Sequence, residues 1–112
     1  MIYTYQGRAV EVVFNSRIAR ILGIGRINNC VTLSRKTIRV SRDWIGRKTL
    51  AHEWGHTAQA ARLGWRYLPW VLWTYRKGYA ASEAERDADR FMDAHWQDFT
   101  ALGPVPAWVV EA

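Results

Sequence analysis

The sequence predicts a single domain of the α+β class, with strands in its first 41 residues and two main helices after them. Its length of 112 residues is typical of one domain, and no repeat or low-complexity tract divides the chain. β-Branched residues are concentrated before residue 42, whereas apolar residues recur at helical spacing in two later segments. We therefore expect residues 1–112 to form one domain.

Short β-rich segments dominate the amino-terminal part of the chain. Residues 10–15 predict a strand, and residues 16–22 place apolar side chains at the spacing of a short helix. Residues 23–29 contain glycines and adjacent asparagines, which interrupt regular structure. Residues 30–34 and 37–41 predict two further strands, which a two-residue turn joins into a hairpin.

The carboxy-terminal part predicts two helices around an aromatic segment. The first helix is expected to begin near Asp43, a favourable N-cap residue, and to end at about residue 63, just before Gly64. Residues 65–81 contain a proline and a glycine, so they predict a loop or a broken helix. The second helix is expected to begin after residue 82 and to end at about residue 99, and an irregular tail follows it.

The composition indicates a folded and basic protein without a disulfide. The net charge is +6, but the basic residues form no single run, so a solvated basic surface is favoured over a nucleic-acid interface. Cys30 is the only cysteine, and we expect it to be a small buried residue. The chain shows neither a secretory signal nor the ~18 apolar residues of a spanning helix. A cytoplasmic location is the default expectation, with export by a dedicated secretion machine as the alternative.

The segment His52-Glu53-Trp54-Gly55-His56 carries the clearest chemical signal. On a helix, residues four apart share one face, so His52 and His56 can bind one metal ion together. Catalytic zinc accepts imidazole ligands and keeps one position open for water. Glu53 lies beside such a metal and can take a proton from water and pass it to a leaving amine. The pattern predicts one zinc ion with Glu53 as the general base.

A catalytic zinc needs a third protein ligand, and the second helix offers two candidates. The metzincin continuation is absent, because Gln59 and Arg62 stand where that pattern has glycine and histidine. Glu83 and Glu85 lie about 200° apart on a helix, so only one of them can face the first helix. Glu85 lies at the edge of the apolar face and Glu83 nearly opposite. Glu85 is therefore the predicted third ligand.

Two neighbours of Glu85 bear on this assignment. Asp89 lies one turn later on the same side and can accept a hydrogen bond from the free ring nitrogen of a metal-binding histidine. Ser82 and Glu85 also fit a capping box, in which the glutamate would bond the backbone N–H of Ser82 instead of a metal. The zinc role is favoured because the motif requires a third ligand.

These two motifs resemble a known family. His52-Glu-Trp-Gly-His56 followed by Glu85-Arg-Asp-Ala-Asp89 is similar to the gluzincin pattern, His-Glu-x-x-His with a downstream Glu-x-x-x-Asp. The Glu-x-x-Ala-Asp form is particularly similar to small gluzincin-like and membrane-associated peptidases. The resemblance covers about residues 43–95.

The resemblance implies a zincin-like fold, in which a short sheet packs on the central motif helix and a second helix carries the third zinc ligand. It implies zinc on His52, His56 and Glu85, with Glu53 as base and acid and Asp89 orienting a histidine. An edge strand would hold an extended peptide, and either strand of the predicted hairpin could supply that edge. A donor to the oxyanion is less evident. Tyr79 is a candidate, although a packing or surface role is favoured for it.

Two functions from different classes follow. The first is a zinc metallopeptidase, a gluzincin-like endopeptidase that hydrolyses a peptide or protein substrate. The second is a basic, Trp-rich binding module that contacts a membrane surface or a protein, with a structural or vestigial zinc site. Glu53 favours the enzyme, because a structural site has no need of a base.

Two further features need an interpretation. Residues 63–77 mix aromatic and cationic side chains, and a core segment with a cleft wall is the favoured interpretation. Peripheral contact with a membrane is second, and nucleic-acid binding is least favoured. His95 lies about 15 Å beyond Glu85 along an ideal helix, so it is expected to be a packed or solvent-bonded histidine and no ligand.

Overall fold

Four strands and four helices form a small α+β fold in the computed structural model, which describes residues 1–22, 30–78 and 82–109. The strands are β1 (Ile2–Tyr5), β2 (Arg8–Val13), β3 (Cys30–Ser34) and β4 (Thr37–Val40), and the helices are α1 (Arg17–Leu22), α2 (Arg47–Leu63), α3 (Tyr67–Thr74) and α4 (Glu83–His95). Short 3-10 turns occupy Gly64–Arg66, Tyr75–Lys77 and Trp96–Asp98. The predicted α+β class is confirmed.

The strands form one sheet in the order β1-β2-β4-β3. β2 and β4 are parallel, whereas β1 pairs with β2 and β3 pairs with β4 in antiparallel fashion. The helix predicted at residues 16–22 and the hairpin are confirmed. The strand predicted at residues 10–15 is present but covers Arg8–Val13, so it begins and ends two residues earlier. Because β4 lies inside the sheet, residues 37–41 offer no free edge, and that alternative for peptide binding was wrong. Among the strands that the structure describes, β3 is the hairpin strand at the edge of the sheet. The interruption expected at residues 23–29 lies outside the described residues.

Strand β1 was not predicted. A two-residue turn joins it to β2, and both turn residues, Gln6 and Gly7, have positive φ angles of 50° and 78°. Turns of this kind match the twist of antiparallel strands and favour glycine. The run of β-forming residues Ile2–Tyr5 before Gln6-Gly7 is the sequence signal that indicates this hairpin.

Helix α2 packs on the sheet through Trp54, whose side chain is almost fully buried. The Trp54 ring makes edge contacts with Tyr3, Tyr5 and Phe99 at centroid distances of 5.6, 6.0 and 5.8 Å. Burying large aromatic side chains stabilises a small domain, and their geometry adds to the gain. The aromatic cluster therefore fixes α2 against β1. The remaining buried core residues are Val10, Val12, Cys30, Ile38, Val40, Ile45, Leu50 and Ala51.

The start of α2 differs from the prediction. The helix begins at Arg47, with Gly46 as N-cap, so Asp43 is not its cap. The reason is tertiary, because the backbone of Ile45 forms a bridge to Leu102 with two hydrogen bonds of 2.9 and 3.0 Å. This bridge keeps the chain extended before Gly46. The predicted end is confirmed, since Gly64 caps the helix with a φ of 59°.

The aromatic segment is the broken helix among the two alternatives predicted, because α3 lies between two 3-10 turns. Helix α4 ends at His95, earlier than the predicted residue 99, and a 3-10 turn carries the chain on to Phe99. Among the residues described, no helix combines the length and hydropathy required to cross a membrane.

Helices α2 and α4 pack closely at Gly55. A Cβ atom placed on Gly55 would lie 3.0 Å from the Cα atom of Ala88 and 3.2 Å from the Cβ atom of Phe91. Both distances are shorter than ordinary carbon contacts, so a larger residue would push the helices apart. The glycine therefore sets how near α4 comes to the motif helix.

Replacement of Gly55 by alanine tests this constraint. Alanine favours a helix by about 1 kcal/mol over glycine, whereas overpacking costs about 1–3 kcal/mol. We expect Gly55→Ala to lower the free energy of unfolding by up to about 2 kcal/mol in urea titrations. Ala61→Gly, at an exposed position of the same helix, measures the propensity term alone. A Gly55→Ala variant more stable than the wild type would contradict the close approach.

Candidate metal centre

The two motif histidines face α4 and meet the carboxylate of Glu85. The Nε2 atom of His52 lies 3.1 Å from one carboxylate oxygen of Glu85, and the Nε2 atom of His56 lies 2.8 Å from the other. The Glu85 residue is only 3% exposed, whereas Glu83 is exposed. The helical wheel therefore predicted the facing of both glutamates correctly. Residues from two helices converge on one buried point.

The opposite ring nitrogens have partners of their own. The Nδ1 atom of His52 lies 2.8 Å from the carboxylate of Asp89, and that of His56 lies 2.9 Å from the amide oxygen of Gln59. The Gln59 amide nitrogen donates to the Ala84 carbonyl and to Asp87, so its oxygen must face His56. A proton is thereby held on Nδ1 of each ring. Both Nε2 atoms are directed at the Glu85 oxygens, which they contact at 3.1 and 2.8 Å.

Glu53 lies on another side of α2. Its buried carboxylate accepts a 3.4 Å hydrogen bond from the Thr32 hydroxyl of β3. The ligand atoms of His52, Glu53 and His56 lie within 4.8 Å of one another, so this group could hold a metal ion. Two carboxylates thus compete for the third ligand position. Glu85 is the better candidate, because its two oxygens contact both Nε2 atoms while Glu53 bonds the sheet.

The capping-box alternative is not supported by the Ser82 side chain. Its hydroxyl makes no cap hydrogen bond to α4 and pairs instead with the Thr74 hydroxyl at 2.8 Å. Tyr75 donates a 2.9 Å hydrogen bond to the same Glu85 oxygen that contacts His56. Glu85 is therefore directed at the histidines and Tyr75.

Electrostatics favours positive charge at the two histidines. Burial alone would lower the pKa of each ring, but hydrogen bonds to Glu85 and the charge of Glu53 outweigh it. The pKa of His52 is raised, and that of His56 is raised to about 9. The surroundings of the two rings therefore favour a cation, either a proton or a metal ion.

A cavity of about 320 Å³ adjoins this centre. Glu53 and His56 lie at its polar end, strand β3 forms one wall and helix α3 the other. The wall formed by α3 and the turn after it is apolar apart from two tyrosine hydroxyls. The hydroxyl of Tyr67 donates a 2.9 Å hydrogen bond to the Thr32 carbonyl. Pockets that bind a small molecule or a substrate side chain are concave and mostly apolar with a few polar groups, and this cavity has the same character. The remaining lining residues are Val31, Leu33, Leu68, Val71, Leu72 and Tyr75.

Sequence reasoning missed two polar residues of this centre, Gln59 and Tyr75. Gln59 follows His56 by three positions, and residues three apart on a helix are neighbours, so its contact was within reach of a sequence argument. Tyr75 had no such signal, because its position depends on how the broken helix folds back. Tyr79, the predicted oxyanion donor, lies outside the described residues.

His95 and Cys30, which were expected to play no part in the site, pack against other side chains. The His95 ring packs against Phe91 at 4.5 Å between ring centroids, and its Nδ1 atom lies 3.3 Å from the Tyr5 hydroxyl. Cys30 is buried in the core, and burial raises the pKa of its thiol.

Comparison with protein-family models, with curated proteins and with solved structures finds no match to this chain.

Asp89 provides a test of how the histidines are oriented. Removing the partner of a metal-binding histidine typically costs 10–100-fold in metal affinity. We expect Asp89→Ala to weaken divalent metal binding by about that factor, measured by competition with a chromophoric chelator. Asp93→Ala is the matched control, because Asp93 is exposed one turn further along the same helix. Equal affinities in the two variants would remove Asp89 from the centre.

The raised pKa of His56 predicts a pH-dependent stability of the metal-free protein. The folded state holds this proton more tightly than the unfolded state, whose pKa is near the ordinary 6.5. Its contribution is fully present below that pH and is lost as the pH rises through about 9. With metal removed by a chelator, the Tm should fall across this interval, and the fall should be smaller in Glu85→Gln. A fall of equal size in both proteins would contradict the assignment.

Proposed function

We propose that the protein is a zinc-dependent metallopeptidase of the gluzincin type, with a zincin-like fold. One observation carries the proposal. Two histidines on one helix face turn their Nε2 atoms towards a buried glutamate from a second helix, while Glu53 stands beside them at the end of an apolar cavity. A structural metal site has no use for the extra carboxylate, whereas hydrolysis requires a base at that place.

The donor set fits zinc better than other common cations. Two imidazoles and one carboxylate are typical of catalytic zinc, with the fourth position left to water or substrate. Calcium and magnesium prefer oxygen ligands, so a pair of histidine nitrogens disfavours them. The hydrogen bonds from His52 to Asp89 and from His56 to Gln59 fix each ring in the tautomer that metal binding needs. We assign one zinc ion to His52, His56 and Glu85.

The chain's own residues divide the catalytic work. Zinc, when bound, polarises the scissile carbonyl and acidifies a water molecule. Glu53 accepts the proton of the attacking water on its carboxylate and delivers it to the leaving amine. Tyr75 holds Glu85 in place through its 2.9 Å hydrogen bond. The apolar wall formed by α3 lowers the local dielectric, which strengthens each of these interactions.

A peptide substrate would lie along β3, the sheet edge next to the centre. An added strand gains main-chain hydrogen bonds, and alternate side chains enter pockets. The cavity beside Glu53 and His56 has the size and apolar walls to accept one large apolar side chain. The Thr32 carbonyl already accepts a hydrogen bond from Tyr67, so the substrate must pair with the remaining edge positions or displace that hydroxyl.

Three variants test the assignment of zinc ligand and base. Glu85→Ala should lose the zinc ion, because the third ligand is removed, whereas Glu83→Ala should retain it as the matched control on the same helix. Glu53→Gln should bind zinc but lose hydrolysis by at least about 100-fold, as expected for loss of a general base. Zinc content is measured by metal analysis of purified protein, and hydrolysis with internally quenched peptides that carry large apolar residues.

The outcomes separate the enzyme from a basic binding module. Loss of zinc in Glu83→Ala instead of Glu85→Ala would overturn the ligand set. Full hydrolysis by Glu53→Gln would overturn the base. A wild-type protein that binds zinc tightly but cleaves no peptide in a diverse pool would favour the binding module with a structural site.

A further inference from the structure

An exposed apolar surface covers the outer side of α3 and the turn before it. Trp65 is 85% exposed, Leu68 43%, Leu72 71% and Trp73 64%. We call these four residues the Trp face. Positions 65, 68 and 72 follow the three- and four-residue spacing of one helix face, and position 73 lies next to them. The opposite side of α3 is buried through Tyr67 and Thr74, so the apolar surface points outward as one stripe.

Such a surface is unusual for a helix in contact with water. Single exposed apolar residues are common, but contiguous large ones mark interaction sites. Hydrophobic burial contributes about 1.5–3 kcal/mol for each large side chain, and the Trp face forgoes that gain in water. A partner that covers it would recover this free energy.

Cationic side chains border the Trp face, and acidic ones are absent from its part of the sequence. Arg66 and Arg76 are exposed, and the Arg76 guanidinium lies 4.1 Å from the centre of the Trp73 ring. Arg35 lines the same depression as Trp65 and Leu68. No aspartate or glutamate occurs between Trp54 and Gly78. Nothing in this stretch of chain therefore offsets the positive charge.

We propose that the Trp face binds the surface of an anionic lipid bilayer. Tryptophan and leucine enter the boundary between headgroups and acyl chains, while arginine remains with the anionic headgroups. No helix in the described part of the chain can span a bilayer, so the contact is peripheral. The proposal concerns this surface alone and does not depend on the metallopeptidase assignment.

Two other occupants fit the surface less well. A second copy of the chain would bring the same arginines together across a two-fold axis, and residues 55–77 carry no acidic group to pair with them. A nucleic acid would use the arginines and tryptophans, but Leu68 and Leu72 offer neither stacking nor phosphate contact. An anionic lipid surface can contact the tryptophan, leucine and arginine side chains together.

Docking would bring the cavity close to the membrane. Leu68 and Leu72 belong both to the Trp face and to the wall of the cavity that contains Glu53 and His56. A segment of a substrate that lies at the lipid surface would therefore reach the cavity over a short distance.

Co-sedimentation of the full chain with vesicles tests the proposal. The wild type should sediment with vesicles of phosphatidylcholine mixed with phosphatidylglycerol, and less with phosphatidylcholine alone. Trp65→Ala and Trp73→Ala should each weaken partitioning by about tenfold. Arg66→Gln and Arg76→Gln should each weaken it by about fivefold on anionic vesicles only. Trp108→Ala is the matched control, because Trp108 is 75% exposed elsewhere on the surface.

Several results would overturn the proposal. These are absence of sedimentation with anionic vesicles, an equal loss in Trp108→Ala, or a concentration-dependent dimer that Trp65→Ala abolishes while vesicles stay unbound. Binding of a DNA or RNA duplex with the same variant pattern, without vesicle binding, would also overturn it. Glu53→Gln should bind vesicles as the wild type does, so failure of either proposal leaves the other standing. Circular dichroism confirms that each variant is folded.

Discussion

The buried carboxylate of Glu85 is the group on which the arrangement of the centre depends. An ionised carboxylate is costly to remove from water unless positive charge and hydrogen bonds compensate for it. Here two histidine nitrogens and the Tyr75 hydroxyl surround it, and each histidine is in turn held by a second polar partner. The close contact between Gly55 and Ala88 makes this possible, because it brings α4 near enough for Glu85 to reach both rings.

Different faces of helix α2 contact different parts of the structure. Trp54 faces the sheet and its aromatic cluster, His52 and His56 face α4, and Glu53 faces β3 and the cavity. Successive residues on a helix are separated by about 100°, so neighbours in sequence serve separate surfaces. The helix is therefore buried on most sides, and its motif is held by packing as well as by polar contacts.

Local chemistry made part of this arrangement predictable. The spacing of His52 and His56 and the facing of Glu85 follow from helical geometry alone, and both agree with the structure. The predicted start of α2 was wrong because the bridge between Ile45 and Leu102 joins segments that are distant in sequence. Tyr75 was missed for the same reason, since no periodicity indicates where a broken helix folds back. Sequence patterns therefore predict which face of a helix is buried better than they predict where the helix ends or which distant residues it contacts.

Helix α3 connects the centre with the outer surface. Its eight residues include only Thr74 as a polar side chain beyond a tyrosine hydroxyl, so both sides of the helix are apolar. Helices that are apolar all round are normally buried. The inner side satisfies this rule by lining the cavity, and Tyr67 ties it to β3. The outer side does not, because Trp73 is 64% exposed. An apolar or interfacial environment on that side would bury the exposed apolar side chains of the helix. The surrounding arginines favour an environment that carries negative charge.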